Sequence, residues 1–149
     1  HSIDLKTLNA QYSKHLKSSL HEFIHIIYND VIADERIIWL DEGLAMNLSG
    51  EYSIYDDEEK FKTFFQTSIL SIKKFPSMNE LTHGKEFVNE DYNGYDLSYL
   101  VVRYMLETMK HDDVLSTIKK SENVKLLGQN VLDNAIQYYS KKFAFFSRH

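Results

Sequence analysis

The sequence predicts a mainly α-helical protein, and three observations carry that prediction. Apolar residues recur at three- and four-residue steps through most of the chain. There are one proline and five glycines among 149 residues, so few positions interrupt a helix. No segment alternates apolar and polar residues over the length of a strand, and only 51–55 and 143–146 are candidates for short extended pieces.

The first predicted helical segment is one long helix or two abutting ones, and it ends near residues 29–30. Near its end it carries an HExxH pattern, His21-Glu22-Phe23-Ile24-His25. Because residues i and i+4 share a helix face, both imidazoles can reach one metal ion, with Glu22 beside them. The apolar residues at helical spacing are Leu5, Leu8, Tyr12, Leu16, Leu20, Phe23, Ile24 and Ile27.

A second helix is predicted over 37–48, with Gly50 as its C-terminal stop. A third begins at the acidic run 56–59, whose charges favour a helix N-terminus, and ends before Pro76. Its buried side chains are expected to be Phe61, Phe64, Phe65, Ile69 and Ile72.

The rest of the chain predicts three further helices. Ser77 is expected to cap a short turn through residue 81, and 82–94 is expected to be a loop. A fourth helix carries apolar residues over 97–105. A fifth begins at Asp112 or Asp113, and a sixth begins at Asn130.

Composition limits the classes of function. Hydrophobic residues make up 43% and aromatic residues 13%, so we expect one domain, 1–149, with a real core. A net charge of -5 without a basic run argues against a nucleic-acid surface. No apolar run approaches the roughly 20 residues that a membrane span needs. Without cysteine, any metal must be held by histidine and carboxylate.

The chain begins abruptly. Its first residues, His1-Ser2-Ile3-Asp4, are neither basic nor apolar, as a signal peptide would be. We therefore expect a fragment of a longer protein, and no feature of the chain assigns a compartment.

A third metal ligand is available in the second helix. A catalytic zinc ion usually has three protein ligands and one open position. Glu42 lies in the segment 39–45 (WLDEGLA), one loop and about two turns after His25. Gly43 and Ala45 are small, which allows two helices to approach closely around an ion.

HExxH followed by this segment resembles the gluzincin zinc metallopeptidases, and in particular the peptidase MA-like group, related to the aminopeptidase N and thermolysin types. The resemblance implies His21, His25 and Glu42 as ligands of one zinc ion, with Glu22 as the general base. The segment 95–105 (YDLSYLVVRYM) resembles the family's tyrosine-bearing helix. That match implies that Tyr95 stabilises the oxyanion, with Tyr92 as a nearby alternative.

The implied activity is the hydrolysis of peptide bonds in a peptide or protein substrate. The chain departs from the family in its slightly short spacing to Glu42 and in Asn47, where an aromatic residue is common. No Gly-x-Met-Glu-Asn segment, which binds the free amino terminus in aminopeptidases, precedes the HExxH helix. We therefore expect an endopeptidase rather than an aminopeptidase, and the sheet that carries that segment to be absent from this chain.

Two other interpretations stay open. One is a gluzincin-like domain that binds metal without catalysis and serves binding or regulation. The other is a helical interaction domain in which HExxH occurs by chance. Zinc content separates the chance HExxH from the peptidase and from the metal-binding, non-catalytic domain. Peptide turnover then separates the peptidase from the non-catalytic domain.

Some side chains have simpler expected roles. Each ligand histidine should donate its second ring N–H to an acceptor, and Asp41 and Asp34 are the available carboxylates. Trp39 is expected to anchor the core. The five histidines outside HExxH lack ligand-like spacing and are expected at the surface: His1, His15, His83, His111 and His149.

Overall fold

In a computed structural model, helices form nearly all of the regular structure. The structure describes residues 4–31, 35–128 and 130–144. Within those ranges there is no strand, and the only extended pairing is an isolated antiparallel bridge between Val88 and Asn93. The prediction of a mainly α fold is confirmed.

The helices follow one another with short connections. A 3₁₀ turn (Ser53–Asp56) follows the second helix, and a π-helical turn (Phe65–Ile69) extends the third. The α-helices of the described residues are α1 (Leu5–Val31), α2 (Ile38–Leu48), α3 (Glu58–Phe64), α4 (Met78–His83), α5 (Gly94–Thr108), α6 (His111–Ile118), α7 (Ser121–Gly128) and α8 (Val131–Lys142).

Local capping sets several of these boundaries as the sequence predicts. The Asp57 carboxylate accepts the Lys60 N–H at 3.0 Å and starts α3. Ser77 caps α4 in the same way through Glu80, although the helix continues to His83 rather than ending at residue 81. Asn130 is the residue that precedes α8.

Two expectations of extended structure are corrected. Residues 53–55 lie in the 3₁₀ turn instead, because Gly50 turns the chain with a φ of 84° and its carbonyl accepts the Ser53 N–H at 3.1 Å. Residues 143–144 form a turn, and 145–146 lie outside the described residues. Helix α7 was not predicted.

Helix α2 lies in the middle of the fold and carries the expected third ligand. Seven of its 11 residues are buried. It packs against α1 on one side and α5 on the other. Trp39 is 1% exposed, which confirms it as a core anchor. The backbone of Glu42 is therefore held on both sides by neighbouring helices.

Gly43 allows the close approach of α2 and α5. A Cβ at this position would lie 2.5 Å from the Ser98 carbonyl oxygen and 2.3 Å from Val102 Cγ2. Neither distance is possible for real atoms, so any side chain at Gly43 would push α5 away from α2. The sequence predicted that this glycine lets the two metal-binding helices approach each other. That prediction is corrected, because the close contact at Gly43 is with α5 and not with α1.

We expect Gly43→Ala to destabilise the fold by about 1–3 kcal/mol, the usual cost of forcing an extra group into a packed core. Gly128→Ala is the matched control, because its Cβ would meet Trp39 Cζ2 at 3.5 Å, an ordinary contact. Denaturant unfolding of both variants measures the difference. Equal midpoints for the two variants would contradict the close packing of α2 on α5.

None of the described helices is long and apolar enough to cross a membrane.

Candidate metal centre

Three ligand atoms converge where α1 packs on α2. His21 and His25 extend from consecutive turns of α1, with ring centroids 4.7 Å apart. Glu42 Oε2 lies 3.5 Å from His21 Nε2 and 3.6 Å from His25 Nε2. Two ligand atoms bound tetrahedrally to one zinc ion are about 3.4 Å apart, given bonds of about 2.1 Å. The three side chains therefore form a group that can hold a metal ion.

The other nitrogen of each imidazole faces a carboxylate. His21 Nδ1 lies 2.9 Å from Glu51 Oε2, and His25 Nδ1 lies 2.6 Å from Asp41 Oδ1. A carboxylate accepts hydrogen bonds, so Nδ1 is the protonated nitrogen in both rings. Each Nε2 lone pair is then free to bind a cation, which is the usual arrangement of metal-ligating histidines.

Asp41 ties the centre to the chain that precedes α2. Its side chain is fully buried, with Oδ1 on His25 and Oδ2 accepting from Arg36 Nε at 2.6 Å. Arg36 Nη2 also donates to Glu42 Oε1 at 3.5 Å, which leaves Oε2 directed to the histidines. Of the two carboxylates considered as partners from the sequence, Asp41 contacts His25, and Asp34 lies outside the described residues.

Glu51 is a residue of the candidate site that sequence reasoning missed. It follows α2 in a turn that is fixed at both ends. The buried Ser49 hydroxyl accepts the Glu51 N–H at 3.2 Å. Lys17 of α1 donates to the Ser53 hydroxyl at 3.3 Å. The only sequence signal was a carboxylate shortly after Gly50, and no spacing rule connects that position with His21.

We expect Glu51→Gln to weaken zinc binding about 10- to 100-fold, the usual effect of removing a hydrogen-bond partner from a metal-bound histidine. Glu59→Gln is a control at an exposed position at the start of α3. Competition with a chromogenic chelator measures both affinities. An unchanged affinity in Glu51→Gln would mean that the contact does not orient His21.

The centre is open enough for a ligand to enter. The side chains of His21, His25 and Glu42 are 16%, 17% and 14% exposed. Glu22 follows His21 on α1 and is exposed. The carboxylates of Glu22, Asp41, Glu42 and Glu51 outnumber the guanidinium of Arg36, so the local charge favours a cation.

Tyr95 is the second residue of α5, and its backbone N–H donates to Asn93 Oδ1 at 2.9 Å. Its ring stacks on Phe87 at 5.0 Å, and the side chain is 40% exposed. The hydroxyl makes no hydrogen bond to any described residue. Three residues later in α5, the Ser98 carbonyl packs against Gly43, the residue after Glu42. The oxyanion role of Tyr95 stays a prediction.

Tyr92 lies in the loop before α5, where its N–H donates to Asn89 Oδ1 at 3.1 Å. Its half-buried side chain borders a cavity together with Lys74 and Phe75. Within the described part of the chain, Tyr92 makes no contact with His21, His25 or Glu42. Its role as an alternative to Tyr95 stays a prediction.

The first turn of α5 and the turn that carries Glu51 are neighbours. Tyr52 and Tyr99 pack with ring centroids 4.6 Å apart. Burial, together with the nearby Asp96 carboxylate, raises the pKa of Tyr52 to about 12. Burial likewise raises the pKa of Asp96, which follows Tyr95. The half-buried Asp96 carboxyl therefore lies near Tyr52, the residue after Glu51.

Three of the other histidines, His15, His83 and His111, are exposed, as expected, and His1 and His149 lie outside the described residues. Comparison of the chain with family models, with characterised proteins and with solved structures gives no match. The resemblance to gluzincins therefore stays a prediction from the two motifs.

Proposed function

We propose that this chain is a zinc-dependent peptidase. The observation that carries the proposal is the convergence of His21 Nε2, His25 Nε2 and Glu42 Oε2, with both Nδ1 atoms held by carboxylates. Two imidazoles and one carboxylate are a ligand set of catalytic zinc sites, which keep one position for water or substrate. The 16% and 17% exposure of the two histidine side chains is consistent with such an open position.

A bound zinc ion would supply Lewis acidity, activating water and polarising the scissile carbonyl. Glu22 would take the proton from the attacking water and transfer it to the leaving amine. Its position directly after His21 and its exposure to solvent support this role. Tyr95 would donate a hydrogen bond from its free hydroxyl to the developing oxyanion.

Peptide bonds are the proposed target because HExxH with a downstream glutamate is typical of zinc peptidases. Endopeptidase activity is proposed over aminopeptidase activity. No Gly-x-Met-Glu-Asn segment is present in the chain to bind a free amino terminus.

The proposal is tested with the 149-residue chain loaded with one equivalent of zinc. We expect cleavage of internal bonds in a peptide library with blocked amino termini, and loss of cleavage with a chelator. Cleavage restricted to the first bond of unblocked peptides would replace the endopeptidase with an aminopeptidase. Tight zinc binding without cleavage of any peptide would favour the metal-binding, non-catalytic alternative.

A further inference from the structure

Helix α1 exposes a long apolar stripe. Its eight large apolar residues are between 39% and 77% exposed. Seven of them recur every three or four residues, so they lie along one side of the helix. Phe23 and Leu16 lie roughly on the opposite side of α1 from His21 and His25, at about 100° per residue. The stripe consists of Leu5, Leu8, Tyr12, Leu16, Leu20, Phe23, Ile26 and Ile27.

The first half of α1 has no support within the described residues. Every side chain of 4–16 is exposed, and the contacts with α2 come from the later turns. An isolated helical segment of about 12 residues is marginally stable in water. A partner that covers the stripe would stabilise these turns.

The spacing of the stripe is symmetric about Leu16. Leu5 and Ile27 are each eleven residues from Leu16, and Tyr12 and Leu20 are each four residues from it. Leu8 and Phe23 lie eight and seven residues away. If two copies of α1 pair antiparallel about an axis at Leu16, the seven apolar side chains at three- and four-residue spacing therefore each lie beside one from the other copy. Such self-complementarity is what a twofold interface requires.

We propose that two copies of this chain associate through an antiparallel pairing of their α1 helices. The pairing uses the side of α1 opposite His21 and His25, and it does not require the proposed peptidase activity.

The charges of α1 fit the same arrangement. Residues 5–17 contain Lys6, Lys14 and Lys17 and no acidic residue. Residues 18–31 contain Glu22 and Asp30 and no lysine or arginine. Antiparallel pairing places the basic half of each helix beside the acidic half of the other, which favours this orientation over a parallel one.

An apolar groove continues the stripe at the end of α1. It encloses about 370 Å³ and is lined by Ile27 of α1, Leu48 of α2 and Leu115 of α6, among other apolar residues. In the proposed dimer, Leu5 of the second copy lies beside Ile27, at the border of this groove. The first turns of each α1 thereby gain a docking site on the helical body of the other copy.

The exposed area is of the size that a dimer needs. The stripe extends over about 33 Å, from Leu5 to Ile27, at about 1.5 Å per residue. Its eight residues are 39–77% exposed and form one continuous apolar patch, and large patches of this kind usually mark an interaction site. Stable interfaces bury about 800 Å² on each partner, much of which this stripe and groove can provide.

The mass of the wild-type protein in solution, measured by sedimentation equilibrium over a range of concentrations, is the first test. We expect a species of twice the 17.6 kDa chain mass. The double variant Leu8→Glu with Tyr12→Glu should raise the dimer dissociation constant at least about 100-fold, because it buries charge in the interface. Ser18→Glu with Gln11→Glu, on another side of the same helix, is the matched control and should remain dimeric.

Cross-linking tests the orientation, since the chain has no cysteine of its own. A mixture of Leu5→Cys and Ile27→Cys proteins should form a mixed disulfide, whereas either variant alone should not. Leu16→Cys alone should form one, because Leu16 lies at the axis. A monomer at every concentration, or open-ended aggregation instead of a dimer, would overturn the proposal. Self-cross-linking of Leu5→Cys would overturn the antiparallel orientation.

Discussion

Glu22→Gln should keep the zinc ion and lose peptidase activity, with kcat at least about 100-fold lower. General acid–base catalysis typically contributes 10²- to 10⁴-fold, and an amide cannot take the proton from water. The three ligand atoms belong to other side chains, so metal binding should stay within about two- to threefold of wild type. Peptide cleavage and zinc competition, performed on the same preparation, measure the two properties separately.

Asp30→Asn is the control for this variant. It makes the same change from carboxylate to amide on an exposed position of the same helix, outside the metal centre. It should leave both cleavage and zinc affinity unchanged. Full activity in Glu22→Gln would show that another group takes the proton, and the assignment of the general base would be wrong.

Glu42→Ala should lower the affinity for zinc by more than about 100-fold, because it removes a ligand and leaves two imidazoles. The loss of a residue that only supports a ligand typically lowers the affinity by about 10- to 100-fold. The metal-free fold should persist, since the Glu42 side chain, 14% exposed, is not part of the apolar core. Metal analysis after dialysis, with circular dichroism as a check of folding, gives the result.

His21→Ala removes another ligand and should lose zinc as Glu42→Ala does. Glu122→Ala is the control, because Glu122 is exposed at the start of α7, and it should retain one equivalent of zinc. Zinc retained by both ligand variants would contradict the three-residue centre and leave HExxH as a chance pattern. Zinc lost only from His21→Ala would place the third ligand elsewhere in the chain.

The long helices could be predicted from the sequence because their periodicity extends over many residues. Helix α1 and helix α2 end within one or two residues of the predicted positions. Helix α7 escaped prediction because Val124 is the one large apolar residue among its buried positions. The 3₁₀ turn after α2 could not be predicted, because it depends on a few local hydrogen bonds around Gly50 and not on a pattern of apolar residues.

In the third predicted helix, periodicity identified the buried residues but not the backbone geometry. Its apolar residues Phe61, Phe64, Phe65 and Ile69 are buried, as expected. Ile72, also expected to be buried, is only half-buried, because the helical structure ends at Ile69 and not at Pro76. The backbone widens into a π-helical turn from Phe65, which periodicity alone did not indicate. Within and after that turn, the Thr67 and Ser71 hydroxyls donate to the carbonyls four residues earlier. Such side-chain bonds compete with the regular helical pattern.

The metal centre was predictable where ligands lie on regular helices. The positions of His21 and His25 follow from helical spacing, and a glutamate in the neighbouring helix was the natural third ligand. Asp41 was one of two open choices, and the burial that decides it is a tertiary property. The contact of Glu51 with His21 could not be predicted from the sequence, because the position of Glu51 depends on the path of the turn after α2.

The division of ligands between α1 and α2 has a thermodynamic consequence. An ion held by His21, His25 and Glu42 would act as a cross-link between a helix that is half solvent-exposed and the core helix of the fold. At a zinc concentration about 1,000 times the dissociation constant, such binding would stabilise the folded state by about 4 kcal/mol. Amide hydrogen exchange in the later turns of α1 should then slow with zinc, while exchange near Leu5 and Leu8 should not.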